Sequence, residues 1–293
     1  MSNLTASIRQ ITAFVKESKG NLVVLTGAGI STGSGIPDYR GPNGVYSKNK
    51  DYKPIQYQQF VKDHGFRQRY WARSLLGWPQ VQTAKPNETH RALVALREKG
   101  WTRAGVITQN VDGLLGKDTL ELHGTLYRVE CISCDNGVHR ADFQEALLAL
   151  NPDYREHLEK HKERITIGMR ESRPDGDAEV AMRFNEFRYP SCDRCETGLF
   201  KPNVVFFGEN MKQHVRERSF DMVDNATHML IVGTSMTVYS AFRLLKHAKT
   251  KGLDVSVINL GAFRGSEMAD IIVDASSDAI LPEVARALGA NME

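Results

Sequence analysis

Short apolar runs alternate with amphipathic stretches along most of the chain. The segment from Leu4 to Ser18 places apolar residues three or four apart, which predicts an amphipathic helix. Brief apolar runs rich in β-branched residues then recur, each ending in small or polar residues, at 22–25, 104–107, 229–232, 255–258 and 271–273. Continuous runs of this length are typical of buried parallel strands. With helical stretches between several of them, they predict a doubly wound, Rossmann-like α/β sheet.

Two blocks depart from this alternation. Residues 39–86 are rich in Tyr, Gln, Lys and Arg and carry a Gly-Pro-Asn-Gly turn signal near their start. They predict a loop followed by helices that lie outside the sheet. Residues 131–195 form the second block, and the charged middle of this block, 151–177, predicts a helix followed by a mobile loop.

Composition narrows the class of protein. Of the 293 residues, 41% are hydrophobic and 25% are charged, which suits a folded globular chain and argues against a disordered one. The formal charge of +3 argues against electrostatic binding to nucleic acid or to a membrane surface. No apolar run reaches the roughly 20 residues of a membrane helix, and we see no targeting peptide before the first helix. We therefore expect an intracellular protein.

The first predicted strand runs directly into glycine. Ligands of parallel sheets bind beyond the carboxyl ends of the strands, so the string Gly-Ala-Gly-Ile-Ser at 27–31 lies where a ligand is expected. Its backbone N–H groups would approach a phosphate, with a helix N-terminus beyond them. The third glycine, Gly33, comes one residue later than the dinucleotide fingerprint requires. A tight turn that serves only packing is therefore the alternative.

Amides, a carboxylate and a histidine follow the second predicted strand. Thr-Gln-Asn-Val-Asp at 108–112 offers side chains suited to ribose hydroxyls and to the carboxamide of nicotinamide. His123, in Leu-His-Gly, could deprotonate such a hydroxyl, although a lone histidine can equally be structural. Residues 201–209 have the pattern of an apolar strand that breaks at glycine. This strand is either core or an edge that could pair with a peptide.

All four cysteines fall in two Cys-x-x-Cys pairs. Two such pairs complete a tetrahedral sulfur shell with no open position, the structural arrangement for zinc, and the lack of further cysteines argues against a redox pair. We predict one structural Zn²⁺ on Cys131, Cys134, Cys192 and Cys195. We then expect a Rossmann-like domain of residues 1–45, 87–128 and 200–293, and a small domain combining a helical insertion (46–86) with a zinc-binding module (129–199).

Taken together, these motifs resemble the sirtuins, the Sir2 family of NAD-dependent protein deacylases, from residue 27 to about 259. The strings shared in the family's order are Gly-Ala-Gly-Ile-Ser, Gly-Ile-Pro-Asp-Tyr-Arg, Thr-Gln-Asn-Val-Asp, Leu-His-Gly, the paired Cys-x-x-Cys, Val-Val-Phe-Phe-Gly-Glu and Gly-Thr-Ser. Within the family, Tyr39, the Arg-Tyr-Trp-Ala-Arg string at 69–73, Gly-Trp-Pro at 77–79 and the lengthened zinc insertion are similar to class II, the mitochondrial sirtuin-4 type.

The resemblance implies NAD as co-substrate and acyl-lysine proteins or peptides as partners. The acyl oxygen would attack the ribose carbon as nicotinamide leaves, giving nicotinamide, free lysine and O-acyl-ADP-ribose. His123 would be the general base, with Gln109 and Asn110 positioning the ribose. The residues that would hold NAD are Gly27, Ala28, Gly29, Ile30, Ile36, Asp38, Tyr39, Arg40, Gln109, Asn110, Asp112, Gly233, Thr234, Ser235, Asn259, Leu260, Gly261, Ser277 and Asp278. The backbone of Val205, Phe206, Phe207, Gly208 and Glu209, opposed by the region after Met236, would pair with the peptide.

Three residues bear on substrate choice. Ser240 stands where most family members have proline, and we expect this to weaken the outer clamp and the deacetylation of ordinary peptides. Tyr70 and Arg73 resemble the Tyr-x-x-Arg with which acidic-acyl sirtuins hold a carboxylate, and we expect them to recognise acidic acyl chains. A packed tyrosine beside a solvated arginine is the alternative.

Other interpretations of the resemblance stay open. Protein mono-ADP-ribosyl transfer would use the same NAD site, and a nucleotide-binding module whose zinc knuckles dock a partner is a third interpretation. The presence of His123, Asn110 and Asp112 together argues against the module, because pure binding has little need of a base. We expect a monomer that binds neither nucleic acid nor membrane, cytoplasmic if bacterial and in the mitochondrial matrix if eukaryotic.

Overall fold

The computed structural model describes residues 3–160, 184–196 and 198–292. Its main sheet has six parallel strands in the order β3-β2-β1-β7-β8-β9, and a second sheet has three antiparallel strands in the order β5-β4-β6. The strands are β1 (Leu22–Thr26), β2 (Gly105–Thr108), β3 (Thr119–Glu121), β4 (Gly124–Cys131), β5 (Gly137–His139), β6 (Phe200–Val204), β7 (His228–Val232), β8 (Asp254–Asn259) and β9 (Ile271–Asp274).

Helices cover both faces of the main sheet. The helices are α1 (Asn3–Glu17), α2 (Val45–Lys48), α3 (Tyr57–Lys62), α4 (His64–Thr83), α5 (Glu88–Glu98), α6 (Arg140–Leu150), α7 (Pro152–Lys160), α8 (Gln213–Asp224), α9 (Tyr239–Thr250) and α10 (Ser277–Ala287). Leu22 and Val24 of β1 pack with α1, α5 and α10, whereas Val23 and Leu25 pack with α8 and α9. Alternate residues of one buried strand therefore serve two cores, as a doubly wound sheet requires.

The predicted fold class is confirmed. The five apolar runs form β1, β2, β7, β8 and β9, and the amphipathic segment at the start forms α1. The short strand β3 was not predicted, because three half-buried residues give no readable pattern. None of the described helices is both long and apolar enough to cross a bilayer.

A separate core joins the helical insertion to the cysteine-containing segment. Phe60 of α3 and Trp71 of α4 are fully buried in this core. They are joined there by three other buried rings, Phe143 of α6, Phe200 of β6 and Phe187. Edge-to-face and tilted ring pairs connect Phe60, Trp71, Phe143 and Phe200. The helices predicted for residues 39–86 therefore do lie outside the main sheet, while the exact domain limits stay a prediction.

Of two predictions about segments, one needs revision. The apolar segment 201–209 is not one strand, because β6 ends at Val204 and the chain then leaves the sheet. The N–H of Val205 still donates to the carbonyl of His123 at 2.9 Å, next to the pair of Gly124 and Val204, and the residues that follow line the site. Of the charged segment 151–177, α7 is the predicted helix, and the predicted mobile loop lies outside the described residues.

Candidate active site

The site lies beyond the carboxyl ends of β1, β2, β7 and β8, where a parallel sheet binds its ligands. Two loops meet there, one after β1 and one after β7. The N–H of Gly27 donates to the Val232 carbonyl at 3.1 Å, and that of Gly29 donates to the Gly233 carbonyl at 2.9 Å. A Cβ added at Gly29 would lie 2.8 Å from the Gly233 oxygen. Close packing between the loops therefore requires glycine, as the alternative interpretation of a packing turn expected. The same two loops also border a cleft.

This cleft has the composition expected of a dinucleotide site. It has a volume of about 200 Å³ and is bordered by both loops, by the segment from Asp38 to Pro42 and by residues after β8. A 3₁₀ helix, Ala28–Ser34, begins at the first loop and is the helical turn expected after the glycines. The predicted NAD residues in its wall are Ala28, Gly29, Asp38, Tyr39, Arg40, Gln109, Asn110, Gly233, Thr234, Ser235, Asn259, Leu260 and Ser277. Backbone N–H groups, hydroxyls and one arginine suit a pyrophosphate and two riboses.

A larger cavity of about 390 Å³ adjoins the cleft. We refer to the wall residues Ala28, Ser31, Ile36 and Asp112, which come from loops of the main sheet, as its inner end, and to residues 204–211 and 238–240 with Arg243 as its outer end. Both cavities share Gln109, Asn110 and His123 in their walls. His123 thus lies at the junction of the two cavities.

The imidazole of His123 is held at both nitrogens. Nδ1 lies 3.0 Å from the carbonyl oxygen of Gln109, so Nδ1 carries the proton, and the lone pair of the neutral ring is on Nε2. Nε2 lies 2.7 Å from Oγ of Ser240, whose hydroxyl therefore donates to it. Burial lowers the pKa of His123 to about 4, and the positive charge of Arg243 acts in the same direction, whereas the Gln109 carbonyl opposes the shift. The ring is neutral at physiological pH with its lone pair in the cavity.

A polar network supports the inner end of the cavity. The hydroxyl of Ser31 donates to Oδ2 of Asp112 at 2.7 Å and accepts from Nδ2 of Asn110 at 3.0 Å. Nε2 of His90, at the start of α5, lies 3.4 Å from the same hydroxyl, and burial lowers the pKa of His90. The Asp112 carboxylate also accepts from the N–H of Leu114. These bonds fix the Asn110 amide and the Asp112 carboxylate, both of which were predicted to be site residues.

Four predicted NAD residues are not part of either cavity wall within the described chain: Gly27, Ile30, Gly261 and Asp278. Ile30 is buried in the core against α5 and α10. Asp278 accepts from the hydroxyl and the N–H of Thr89. Asp38 borders the cleft, yet its carboxylate accepts from the N–H of Gly41 and closes a turn. The roles predicted for these residues stay predictions.

The predicted substrate residues separate into two groups. Residues 205–209 all line the larger cavity, and Phe207 is 42% exposed at its mouth. Tyr70 and Arg73 do not line it within the described chain. Tyr70 is 5% exposed and packs edge-on against Phe206, which is itself a wall residue. The tyrosine is therefore packed, as the alternative held, one layer behind the cavity.

The four cysteines converge as predicted. Their Sγ atoms all lie within 4.8 Å of one another. Sγ of Cys131 is 3.7 Å from that of Cys195, and Sγ of Cys134 is 3.6 Å from that of Cys192. A zinc ion with Zn–S bonds of about 2.3 Å holds its sulfur ligands about 3.8 Å apart, so this cluster fits one tetrahedral zinc. A cluster of four thiolates leaves no position for substrate, so a bound zinc would be structural.

Sequence analysis missed several wall residues. Ser31 lies within a recognised motif, and its hydroxyl was not singled out. Ser240 was noted only as a departure from proline, whereas the structure brings its hydroxyl to His123. Arg243 lines the same cavity three residues later. The i, i+3 spacing of these two residues in an amphipathic helix is the signal that could have identified them.

Comparisons with known proteins agree with this geometry. A model of the Sir2 family matches residues 27–240. The NAD-dependent protein deacylase SIR4 of Batrachochytrium dendrobatidis is 50% identical, over 97% of this chain and 95% of its own. The NAD-dependent protein deacylase Sirt4 of Drosophila melanogaster is 38% identical, over 91% and 83%. A solved Sir2 homologue in complex with NAD superposes with a TM-score of 0.69 at 28% identity, covering 96% of this chain and 93% of that one.

Proposed function

The chain belongs to the Sir2 family and is an NAD-dependent protein deacylase, and from this premise we propose how its residues divide the reaction. The observation that carries the proposal is the position of His123 at the junction of two cavities. The glycine-lined cleft receives NAD, and the larger cavity receives nicotinamide at its inner end and the acyl-lysine at its outer end. His123 then faces the ribose between them.

NAD, when bound, supplies a ribose carbon that exchanges nicotinamide for the acyl oxygen of the substrate. The chain's own residues orient that exchange. Asn110 and Gln109 border both cavities and hold the ribose, and the Gln109 amide is itself anchored on Thr26 and Thr234. Asp112, fixed by Ser31, holds the carboxamide of nicotinamide. One water molecule is consumed when the C–N bond of the amide breaks, and the products are nicotinamide, free lysine and O-acyl-ADP-ribose.

His123 acts as the general base on a ribose hydroxyl through Nε2, once that hydroxyl replaces the Ser240 hydroxyl as the donor to Nε2. Its Nδ1–H bond to the Gln109 carbonyl aims Nε2 into the cavity and stabilises the imidazolium that forms. Negative pyrophosphate charge in the adjoining cleft raises the pKa of His123 above its value in the free protein, because an opposite charge favours the protonated ring. The base is therefore strengthened by the co-substrate on which it acts.

The substrate peptide crosses the mouth of the larger cavity. Phe207 and Tyr239, which is 59% exposed, flank this mouth from opposite segments of its wall. Phe207 already uses its N–H and C=O on Ile55 and Tyr57. The N–H groups of Val205, Phe206 and Glu209 and the carbonyl of Phe206 are also bonded within the chain. We therefore assign peptide pairing to the Val205 carbonyl and the Gly208 backbone and, on the opposite side, to the N–H of Val238. Zinc on the four cysteines would hold the small sheet, of which β6 leads into this segment.

A nicotinamide-release assay tests the proposal. Release should require an acyl-lysine peptide and should fall by about a hundredfold or more in His123→Ala, because a general base contributes that much. His214→Ala changes an exposed histidine of α8 outside the larger cavity and should retain activity. Equal activity in both variants would refute the role of His123.

Product analysis separates deacylation from transfer of ADP-ribose to protein. Mass spectrometry should find O-acyl-ADP-ribose and free lysine, and no protein adduct. The relatives are named as deacylases or deacetylases, and the comparisons give no support to the ADP-ribosyltransferase alternative.

The preference for acidic or bulky acyl groups is the finer part of the proposal. If Tyr70 and Arg73 hold an acyl carboxylate, Arg73→Met should reduce activity on glutaryl-lysine by about tenfold and spare acetyl-lysine, because only the acidic chain loses a charge-assisted bond. Arg69→Met removes an exposed arginine of the same helix and is the matched control. Equal losses on both peptides would defeat the idea.

A further inference from the structure

Arg243 occupies the outer end of the larger cavity. It lies in the first turns of α9, three residues after Ser240, and so shares a helix face with it. It lines the cavity together with residues 209–211 and 238–240, the segments on either side of the mouth.

The guanidinium of Arg243 lacks the partner that such a group normally has. Its Nη2 donates to Sδ of Met211 at 3.2 Å, and a thioether is a weak acceptor. Its Nε is buried without a hydrogen-bond partner, and its Cζ lies 5.4 Å from the ring centre of Phe220. Within the described residues no carboxylate oxygen lies within 4 Å of it. An arginine in a partly buried position is usually paired with a carboxylate.

The carboxylates of the cavity are already engaged elsewhere. Glu209 pairs with Lys201 at 3.1 Å and accepts from the N–H of Phe206. Asp112 accepts from Ser31 and Leu114. Burial lowers the pKa of Arg243, and the positive charge of Arg216 on α8 lowers it further. The outer end of the cavity therefore carries positive charge that no described side chain neutralises.

We propose that Arg243 is a carboxylate-binding subsite that selects acyl-lysine peptides with an acidic residue next to the modified lysine. The inference rests on the proposed function, since it takes the larger cavity as the acyl-lysine site. Arg243 donates to Met211, which closely follows the segment 205–209 that we assign to the peptide, so we assign the carboxylate to the peptide and not to the acyl group. Arg243 then pairs with an Asp or Glu side chain, as arginine does where carboxylate recognition matters.

Paired acetyl-lysine peptides test the subsite. The two peptides of a pair differ only at one position, which is Asp in one and Asn in the other. Separate pairs place this position at each site from two residues before the acetyl-lysine to two residues after it. The wild-type enzyme should show, at one or more positions, a KM about tenfold lower for Asp than for Asn, the size expected for a charged hydrogen bond. In Arg243→Gln that ratio should fall to near one. Arg218→Gln, which removes an exposed arginine of α8 outside the cavity wall, should retain it.

Charge reversal and salt provide readouts that do not depend on one variant. Arg243→Glu should invert the preference, favouring Lys over Gln at the same peptide position. If either variant fails to fold, the wild-type enzyme still provides a test. Its ratio of KM values for the Asn and Asp peptides should decline towards one as salt rises to 0.5 M, because salt screens a charge pair and the Debye length is already about 10 Å at 0.1 M. A salt-independent ratio would overturn the subsite.

A further comparison distinguishes a carboxylate of the peptide from a carboxylate of the acyl group. It uses glutaryl-lysine and its neutral analogue pentanoyl-lysine, each in the same uncharged peptide. A glutaryl preference that is lost in Arg243→Gln, without any Asp preference in the wild type, would overturn the peptide assignment. Equal KM values for Asp and Asn at every position would overturn the subsite itself. Failure of the proposed function is a separate result, since the wild type would then release no nicotinamide with any acyl-lysine peptide.

Discussion

At the scale of single residues, the chemistry of His123 depends on its two partners. A backbone carbonyl fixes the proton on Nδ1, and a hydroxyl occupies the lone pair of Nε2. The residue type could be predicted from Leu-His-Gly, whereas the Ser240 partner lies 117 positions away in sequence. Proline, which is common at that position in the family, would fit the first turn of α9 equally well. The difference made by Ser240 is therefore its hydroxyl.

Ser240→Ala should shift the pH dependence of catalysis. The serine hydroxyl stabilises the neutral imidazole, so its removal should raise the pKa of His123 by about half a unit to one unit, which corresponds to about 1 kcal/mol. The acidic limb of kcat/KM should move to higher pH by the same amount, and NMR titration of histidine-labelled protein measures the pKa directly. Ser240→Thr retains a hydroxyl and should restore the wild-type profile. An unshifted limb in Ser240→Ala would contradict this role.

At the scale of elements, strand ends decide where function lies. Uniformly buried runs such as 22–26 and 228–232 are readable as strands because both faces of a parallel strand are apolar. The end of β6 at Val204 was not readable, since Val205 and Phe206 continue the apolar pattern. After Val205, the backbone of Phe207 pairs with Ile55 and Tyr57 instead of with β4, which is a tertiary contact. Apolar periodicity thus predicts strands better than it predicts their limits.

The cysteine cluster leads to a prediction at the same scale. A Cβ on Gly198 would lie 2.2 Å from Sγ of Cys131 and 2.6 Å from Sγ of Cys195, so Gly198→Ala must displace two zinc ligands. We expect zinc content well below one per chain and a loss of stability of about 1–3 kcal/mol, typical of overpacking. Metal analysis and thermal unfolding measure both.

Gly65→Ala is the matched control for that variant. The nearest atom to a Cβ at Gly65 is Oδ1 of Asp63, at 3.5 Å, so the added methyl group meets no obstruction in α4. This variant should retain zinc and stability. Full zinc occupancy with unchanged unfolding in Gly198→Ala would show that the cluster does not hold the metal as proposed.

At the scale of the whole molecule, the site exists because two cores meet. Loops of the main sheet supply the NAD cleft, and Phe206, which packs in the core of the small sheet, supplies a wall of the larger cavity. Buried ionisable groups of the main-sheet side lie near this junction. Burial lowers the pKa of His123 and His90, and it raises the pKa of Glu121 to about 7.

These groups make stability depend on pH. His123 binds its proton in the folded chain only near pH 4, whereas the unfolded chain binds it near 6.5. As the pH falls below 6.5, the unfolded state takes up a proton that the folded state does not, so the free energy of unfolding decreases. Glu121 acts in the opposite direction, since its raised pKa lets the folded state bind a proton first.

His123→Gln isolates the histidine contribution. Between pH 6.5 and 5.5 the wild type should lose about 1 kcal/mol more stability than this variant, because Glu121 and His90 contribute equally to both chains and cancel. Urea unfolding at the two pH values gives the difference. His214→Ala should behave as the wild type does. An identical pH dependence in wild type and His123→Gln would show that the imidazole is not held neutral by burial.

The sequence by itself determined the parallel sheet, the two cysteine pairs and the residue types at the strand ends. These depend on local apolar periodicity and on spacing, which the chain carries without folding. Tertiary structure alone decided that Ser240 bonds His123, that Tyr70 lies behind Phe206 and that Arg243 faces the cavity without a carboxylate. These contacts join residues distant in sequence or depend on which side chains fill a wall. They follow from packing in three dimensions, which no local pattern specifies.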